Sequence, residues 1–156
     1  MSEEDRLVEL LTEKGYTIST AESCTGGLIS ATIVNAPGAS AVLNEAYVTY
    51  ANKSKEKLVG VSHETLETLG AVSEETARQM AEGAAKASGA NVALSSTGIA
   101  GPGGGTLEKP VGLVYIGCYV NGVTKVLKCN FEGNRREVRE KTVKTAISMA
   151  ISELDL

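Results

Sequence analysis

The stretch Thr20-Ala21-Glu22-Ser23-Cys24-Thr25-Gly26-Gly27 sets a hydroxyl nucleophile, a thiol, a carboxylate and two glycines side by side. It lies between a β-like run, Tyr16 to Ser19, and an apolar helix-like run, Leu28 to Ile33. A glycine-containing turn that opens a helix leaves backbone N–H groups unpaired at the positive end of the helix dipole, where they can hold a phosphate or a developing oxyanion. Thr25, Gly26 and Gly27 are therefore candidate ligand-binding positions, and Ser23 is a candidate nucleophile for acyl transfer. The same residues have a plainer reading, in which Ser23 or Thr25 caps the helix and the glycines only permit the turn.

A serine nucleophile needs a base. The only histidine, His63, sits at a predicted helix start, where capping or solvent exposure is its ordinary fate. Lysine is the best base that remains, provided burial or a neighbouring positive charge lowers its pKa by roughly three units from a free value of ~10.4. Lys53 and Lys55 follow directly on a predicted strand ending at Tyr50, and strand ends carry functional groups in α/β proteins. Tyr50 suits relaying the proton or orienting the amine, or is a half-buried strand aromatic. Cys24 competes as nucleophile but has no histidine nearby to pair with, so it ranks below serine. Glu22 suits orienting a base, or starting a helix. Arg135, Arg136 and Arg139, at the start of the last helix, offer a fork geometry for phosphate or carboxylate. Arg136 has Glu132 and Glu140 at i,i+4 spacing, which predicts surface ion pairs. Arg139, on the same predicted face as Arg135, is the better ligand candidate.

The elements that must position these groups come from a chain of 156 residues, about one domain's worth and long enough for a real core. Hydrophobic residues make up 42% and charged residues 22%, the balance of a soluble globular protein, and no apolar run is long enough to span a bilayer. The acidic start, Met1-Ser2-Glu3-Glu4-Asp5, lacks the basic region of a secretory signal, so a cytoplasmic location is expected. A net charge of -4 with interleaved acids and bases disfavours nucleic acid as a partner. The three cysteines are not at metal-ligand spacings, and no metal or cofactor is expected.

Ser2 with Asp5 reads as a capping box for a helix ending near Gly15. A strand leads into the Ser23 turn, and the following helix stops around Asn35-Ala36-Pro37-Gly38. Glu45 to Tyr50 reads as a strand, Ser62 to Gly70 contains a short helix, and Ser73 to Ser88 is a longer one stopped at Gly89. The small inner face of that helix, Ala77, Met80, Ala81, Ala84 and Ala85, suits close packing on a sheet or on a second copy of the chain. Asn91 to Ser96 reads as a buried strand running into the loop Thr97-Gly98-Ile99-Ala100-Gly101-Pro102-Gly103-Gly104-Gly105, where glycines permit close approach to a ligand. A hairpin about Asn121-Gly122 joins Val111–Val120 to Val123–Phe131, with Cys118 facing Lys125 and Cys129 facing Val114, too far apart for a disulfide. A long helix from about Asn134 ends the chain. This order predicts an α/β fold with a mixed sheet.

Thr20-Ala21-Glu22-Ser23-Cys24-Thr25-Gly26-Gly27, Val48-Thr49-Tyr50-Ala51-Asn52 with Lys55, Gly70-Ala71-Val72-Ser73, Thr97-Gly98-Ile99-Ala100-Gly101-Pro102 with Gly104-Gly105, and Lys109-Pro110-Val111-Gly112 together resemble the CinA C-terminal domain family. The resemblance covers nearly the whole chain. It implies a three-layer α/β/α fold and nicotinamide-nucleotide amidase activity, the hydrolysis of nicotinamide mononucleotide to nicotinate mononucleotide and ammonia. It also implies Ser23 as nucleophile, Lys55 as base and Tyr50 as their neighbour, with Thr97 at a position where the family offers serine or threonine. Gly98 follows in the same motif, and Arg139 matches a family arginine. Longer family members carry an additional N-terminal domain resembling molybdopterin-binding proteins, whose activity is not assigned to this chain. The rival expectation is a nucleotide-binding or regulatory module that keeps the fold without turnover.

Overall fold

The computed structural model describes residues 1–156 and centres on a five-stranded sheet. In chain order the strands are β1 (Ile18–Glu22), β2 (Tyr47–Val48), β3 (Val92–Gly98), β4 (Leu113–Val120) and β5 (Val123–Asn130). Their spatial order is β2-β1-β3-β4-β5; β1 runs parallel to β2 and β3, and β4 and β5 return antiparallel. The hairpin has the expected register, with Cys118 opposite Lys125 and Val114 opposite Cys129. All three thiols are free and buried.

Side chains alternate across a strand, so the central strands feed two cores. Ile18, Val92, Leu94, Val114 and Ile116 point towards α1 (Glu3–Lys14), α2 (Leu28–Ile33) and α6 (Arg135–Leu154). Ala21 and Ala93 point the other way, towards α3 (Asn52–Val59), α4 (His63–Thr68) and α5 (Glu74–Ser88). The result is the three-layer α/β/α arrangement with a mixed sheet. No helix is long and apolar enough to cross a membrane.

Local chemistry explains where the helices begin and end. Ser2 and Asp5 form the expected capping box of α1, and Gly15 closes it in the left-handed conformation. Ser73 caps α5, and Asn134 with Glu137 forms a second capping box at the start of α6. The alanines of α5 are used against the sheet: a Cβ on Gly117 of β4 would press on the Ala77 carbonyl and the Ala81 methyl. That face is spent on the fold, so its small residues are no signal of self-association. Gly83 of α5 does the same for α3, since a Cβ there would collide with the Val59 carbonyl. Close seating of α3 on α5 brings Lys55 under the sheet edge.

One element is shorter than its sequence suggests. Glu45 to Tyr50 reads as a strand, yet only Tyr47 and Val48 pair, with Ala21 and Glu22. β1 ends at Glu22, so the ladder has nothing further to pair with, and the chain turns into α3.

Candidate active site

Ser23 is the first residue past β1, held by its backbone N–H to the Ser96 carbonyl of the neighbouring strand at 3.0 Å. Lys55, on the first turns of α3, reaches it from the edge. Its Nζ lies 3.1 Å from Ser23 Oγ, 2.8 Å from the Thr49 carbonyl and 3.2 Å from the Tyr50 carbonyl. The side chain is only 1% exposed. It forms no ion pair, so its charge is compensated by carbonyl dipoles alone. Removal from water penalises the ammonium and lowers its pKa from 10.5 to about 8. Lys55 is then mostly an ammonium at pH 7, with about a tenth as the neutral amine that accepts a proton, and the neutral share grows through pH 8. Lys53, two residues earlier, is exposed, and His63 lies at the surface against Glu56 and Glu67.

Cys24 is buried beside Ser23, and burial pushes its thiol up to about 11. At neutral pH it is a thiol and not a thiolate, and Lys55 Nζ contacts Ser23 Oγ and not the Cys24 sulfur.

The turn after Ser23 differs from the expected open anion site. Gly26 and Gly27 have φ of 57° and 102°, conformations that glycine adopts without strain. The first N–H groups of α2 are already occupied: Ile29 N–H donates to Glu22 Oε1 at 2.7 Å and Ser30 N–H to Oε2 at 3.0 Å. Thr25 is fully buried, its hydroxyl lying 2.7 Å from both Glu22 Oε1 and Ser96 Oγ. Arg139 also turns to this segment, donating to the Cys24 carbonyl at 3.1 Å and the Thr25 carbonyl at 2.9 Å. Thr25, Gly26, Gly27 and Arg139, four of the expected ligand-binding residues, therefore do not line the cavity at Ser23. They belong to the frame that shapes it, because the helix end is filled from within by the carboxylate of Glu22, the last residue of β1.

The cavity itself has a volume of about 270 Å³ and opens over Ser23 and Lys55. Its far wall is the glycine-rich loop after β3, together with Thr97, Gly98, Tyr50 and Arg135. Thr97 spends its hydroxyl on the Ala71 carbonyl at 2.7 Å, so it offers shape more than a free donor. Tyr50 presents its carbonyl to Lys55, while its hydroxyl accepts from Arg135 Nη2 at 3.1 Å. Its ring is 60% exposed and its hydroxyl faces the arginine, which does not fit a proton relay. Arg135 also donates to the Gly101 carbonyl at 2.7 Å and has no acidic partner. Arg136 lies outside the cavity, and its expected ion pairs with Glu132 and Glu140 do not form.

Two cations and no carboxylate line this cavity, so its field favours an anion. A larger groove of about 350 Å³ between α1, α2 and α6 has neither nucleophile nor buried base, and volume alone does not locate the chemistry. No group of three His, Cys, Asp or Glu side chains gathers where it could hold a metal ion. Sequence reasoning passed over Ser96, Thr49 and the better placement of Arg135. The signal for the first was present: Ser95-Ser96-Thr97 is a polar run within a strand that must be buried, and buried hydroxyls need partners.

Fold and site together define a three-layer α/β protein with a half-buried serine beside a buried lysine at the end of β1. The chain belongs to the CinA C-terminal domain family, which it matches over residues 2–154. A relative from Clostridium perfringens, provisionally named a competence-damage inducible protein, is 53% identical over 152 residues, which is 97% of this chain and 37% of that protein. A relative of the same provisional name from Clostridioides difficile is 55% identical over 145 residues, 93% of this chain and 35% of that protein. The chain thus spans little more than a third of these curated relatives. Among solved structures, the competence/damage inducible protein CihA from Agrobacterium tumefaciens is 44% identical, with a TM-score of 0.93 and coverage of 100% of this chain and 98% of that one. The competence damage-inducible protein A from Klebsiella pneumoniae is 30% identical, with a TM-score of 0.95 over 98% of this chain and 95% of that one.

Proposed function

We propose that this chain is a nicotinamide-nucleotide amidase, hydrolysing nicotinamide mononucleotide to nicotinate mononucleotide and ammonia. The observation that carries the reading is Lys55: a buried lysine with no carboxylate partner, 3.1 Å from a serine hydroxyl. Such a group has little structural value, because burying an ammonium costs stability, and it is suited to acting as a base. The substrate is the one that the family resemblance implies. A cavity with no acid and with Arg135, a permanent cation, in its wall supports a nucleotide carrying a phosphate.

In this reaction neutral Lys55 takes the Ser23 proton as Oγ attacks the carboxamide carbon. The Cys24 amide directly follows the nucleophile, belongs to a residue that lines the cavity, and has no hydrogen-bond partner in a neighbouring residue, which supports it as an oxyanion donor. Collapse of the tetrahedral intermediate expels ammonia, which takes its proton from the Lys55 ammonium. Water, deprotonated by the same lysine, then releases the carboxylate from Ser23 and returns the proton to its oxygen.

Ammonia release from nicotinamide mononucleotide, measured for the wild type, Ser23→Ala and Cys24→Ala, tests the reading. Release by the wild type and Cys24→Ala but not by Ser23→Ala is expected. Saturable nucleotide binding with no ammonia from the wild type would contradict it and leave a binding module.

A further inference from the structure

Glu22 carries more polar contacts than any other buried side chain near the site, and the mechanism above does not use it. It is 0% exposed. Each carboxylate oxygen accepts twice: Oε1 from Thr25 Oγ1 and the Ile29 N–H, and Oε2 from Thr20 Oγ1 at 2.9 Å and the Ser30 N–H. Four donors converge on one side chain, and none comes from a cation. The residue is also tied to the base through its backbone. Its carbonyl accepts from Thr49 N–H at 2.8 Å, and the Thr49 carbonyl in turn holds Lys55 Nζ.

Ser23 lies between these two sets of bonds. Upstream of it the Glu22 backbone fixes Thr49 and so the lysine; downstream, the Glu22 side chain fixes Thr25 and the first turn of α2, and so the peptides that follow the nucleophile. We infer that Glu22 is the positioning residue of the site, holding Ser23 Oγ, its following amides and Lys55 Nζ in one geometry without touching substrate. The inference rests on the serine–lysine reading given above. The carboxylate is required and not merely a polar group of the same shape. A glutamine has one oxygen and one NH2, and each oxygen position of Glu22 faces a backbone N–H that cannot turn away. Either orientation of the amide sets two donors against each other.

The test compares wild type, Glu22→Gln and Thr20→Val for turnover of nicotinamide mononucleotide and for labelling of Ser23 by a fluorophosphonate, followed by intact mass. Thermal unfolding and the stoichiometry of nicotinate mononucleotide binding count the folded sites. Glu22→Gln is expected to lose at least 100-fold in kcat and in labelling rate per folded site, with KM changed by less than threefold. Thr20→Val, which removes one of the four donors and lies outside the cavity, is expected to lose about three- to tenfold in the same direction and covers the case in which Glu22→Gln does not fold. A purely structural role would lower the folded fraction and leave kcat per site within threefold of wild type in every variant that folds, and that result overturns the inference. Wild-type labelling without turnover removes the substrate assignment alone, and the labelling rates of the variants still decide the role of Glu22. A wild type that neither labels nor turns over removes the activated serine, and the positioning role with it.

Discussion

Two glycine-bearing segments flank the Ser23–Lys55 pair, and they behave in opposite ways. The helix end behind Gly26-Gly27 is filled: a carboxylate takes the Ile29 and Ser30 N–H groups and a guanidinium holds the Cys24 and Thr25 carbonyls. The loop from Ile99 to Gly104 is held only at Ile99 and at the Gly101 carbonyl, and it forms a wall of the cavity. Two arginines one helical turn apart divide in the same way, Arg139 bracing the turn and Arg135 facing the cavity beside Tyr50 and Gly101. Glycines at a helix start therefore do not by themselves mark a ligand site. What decides is whether the chain has already satisfied the groups that the turn exposes.

The sharpest way to break this comparison is to remove the pair between the two segments. Ser23→Ala is expected to lower kcat by about 10³-fold or more, and Lys55→Met by about 10²- to 10⁴-fold, while Lys53→Ala stays near wild type in the same ammonia assay. Equal losses at Lys53 and Lys55 would mean that burial does not select the base.

Next come the two arginines. Arg135→Met is expected to raise KM by roughly 10- to 100-fold with little change in unfolding free energy, because its charge faces the cavity. Arg139→Met is expected to cost about 1.5–3 kcal/mol in urea unfolding, because it leaves two carbonyls without a charged donor. Exchange of these two phenotypes would reverse the assignment of the segments.

A smaller effect separates Lys55 from the rest of the fold. Its pKa is lowered on folding, so between pH 8 and 10.5 the unfolded chain binds more protons than the folded one. Stability of the wild type relative to Lys55→Met should rise with pH through that window, by up to about 3 kcal/mol, and be level below it. Denaturant titrations at a series of pH values measure the difference directly. The smallest change is expected for Cys24→Ala: activity within about threefold, and a stability loss of about 1 kcal/mol from a small cavity.

Much of this was legible in the sequence where local chemistry is strong. Capping residues, glycine stops and the Asn121-Gly122 hairpin fixed element ends and even strand register, because each acts over a few residues. One histidine, which lies at the surface, leaves lysine as the candidate base by residue type, and Lys55 is the lysine that lies beside Ser23. What sequence could not reach were choices made across the fold. Whether Arg135 or Arg139 faces the cavity depends on how α6 is rotated against β3, β4 and α2. Whether the helix end at Gly27 is open depends on Glu22 folding back over seven residues to Ile29. Equally, β2 stops at Val48 because its partner strand ends, which no property of Thr49 or Tyr50 records.

The central claim is that Lys55 works as a neutral amine against Ser23, and the pH dependence of kcat/KM for nicotinamide mononucleotide tests it most directly. The account predicts a rate that rises with pH to a plateau through a single ionisation near pH 8, the value to which burial brings Lys55. A rate that does not change between about pH 6 and 9.5, or that keeps rising towards the ~10.4 of a free lysine, would contradict it.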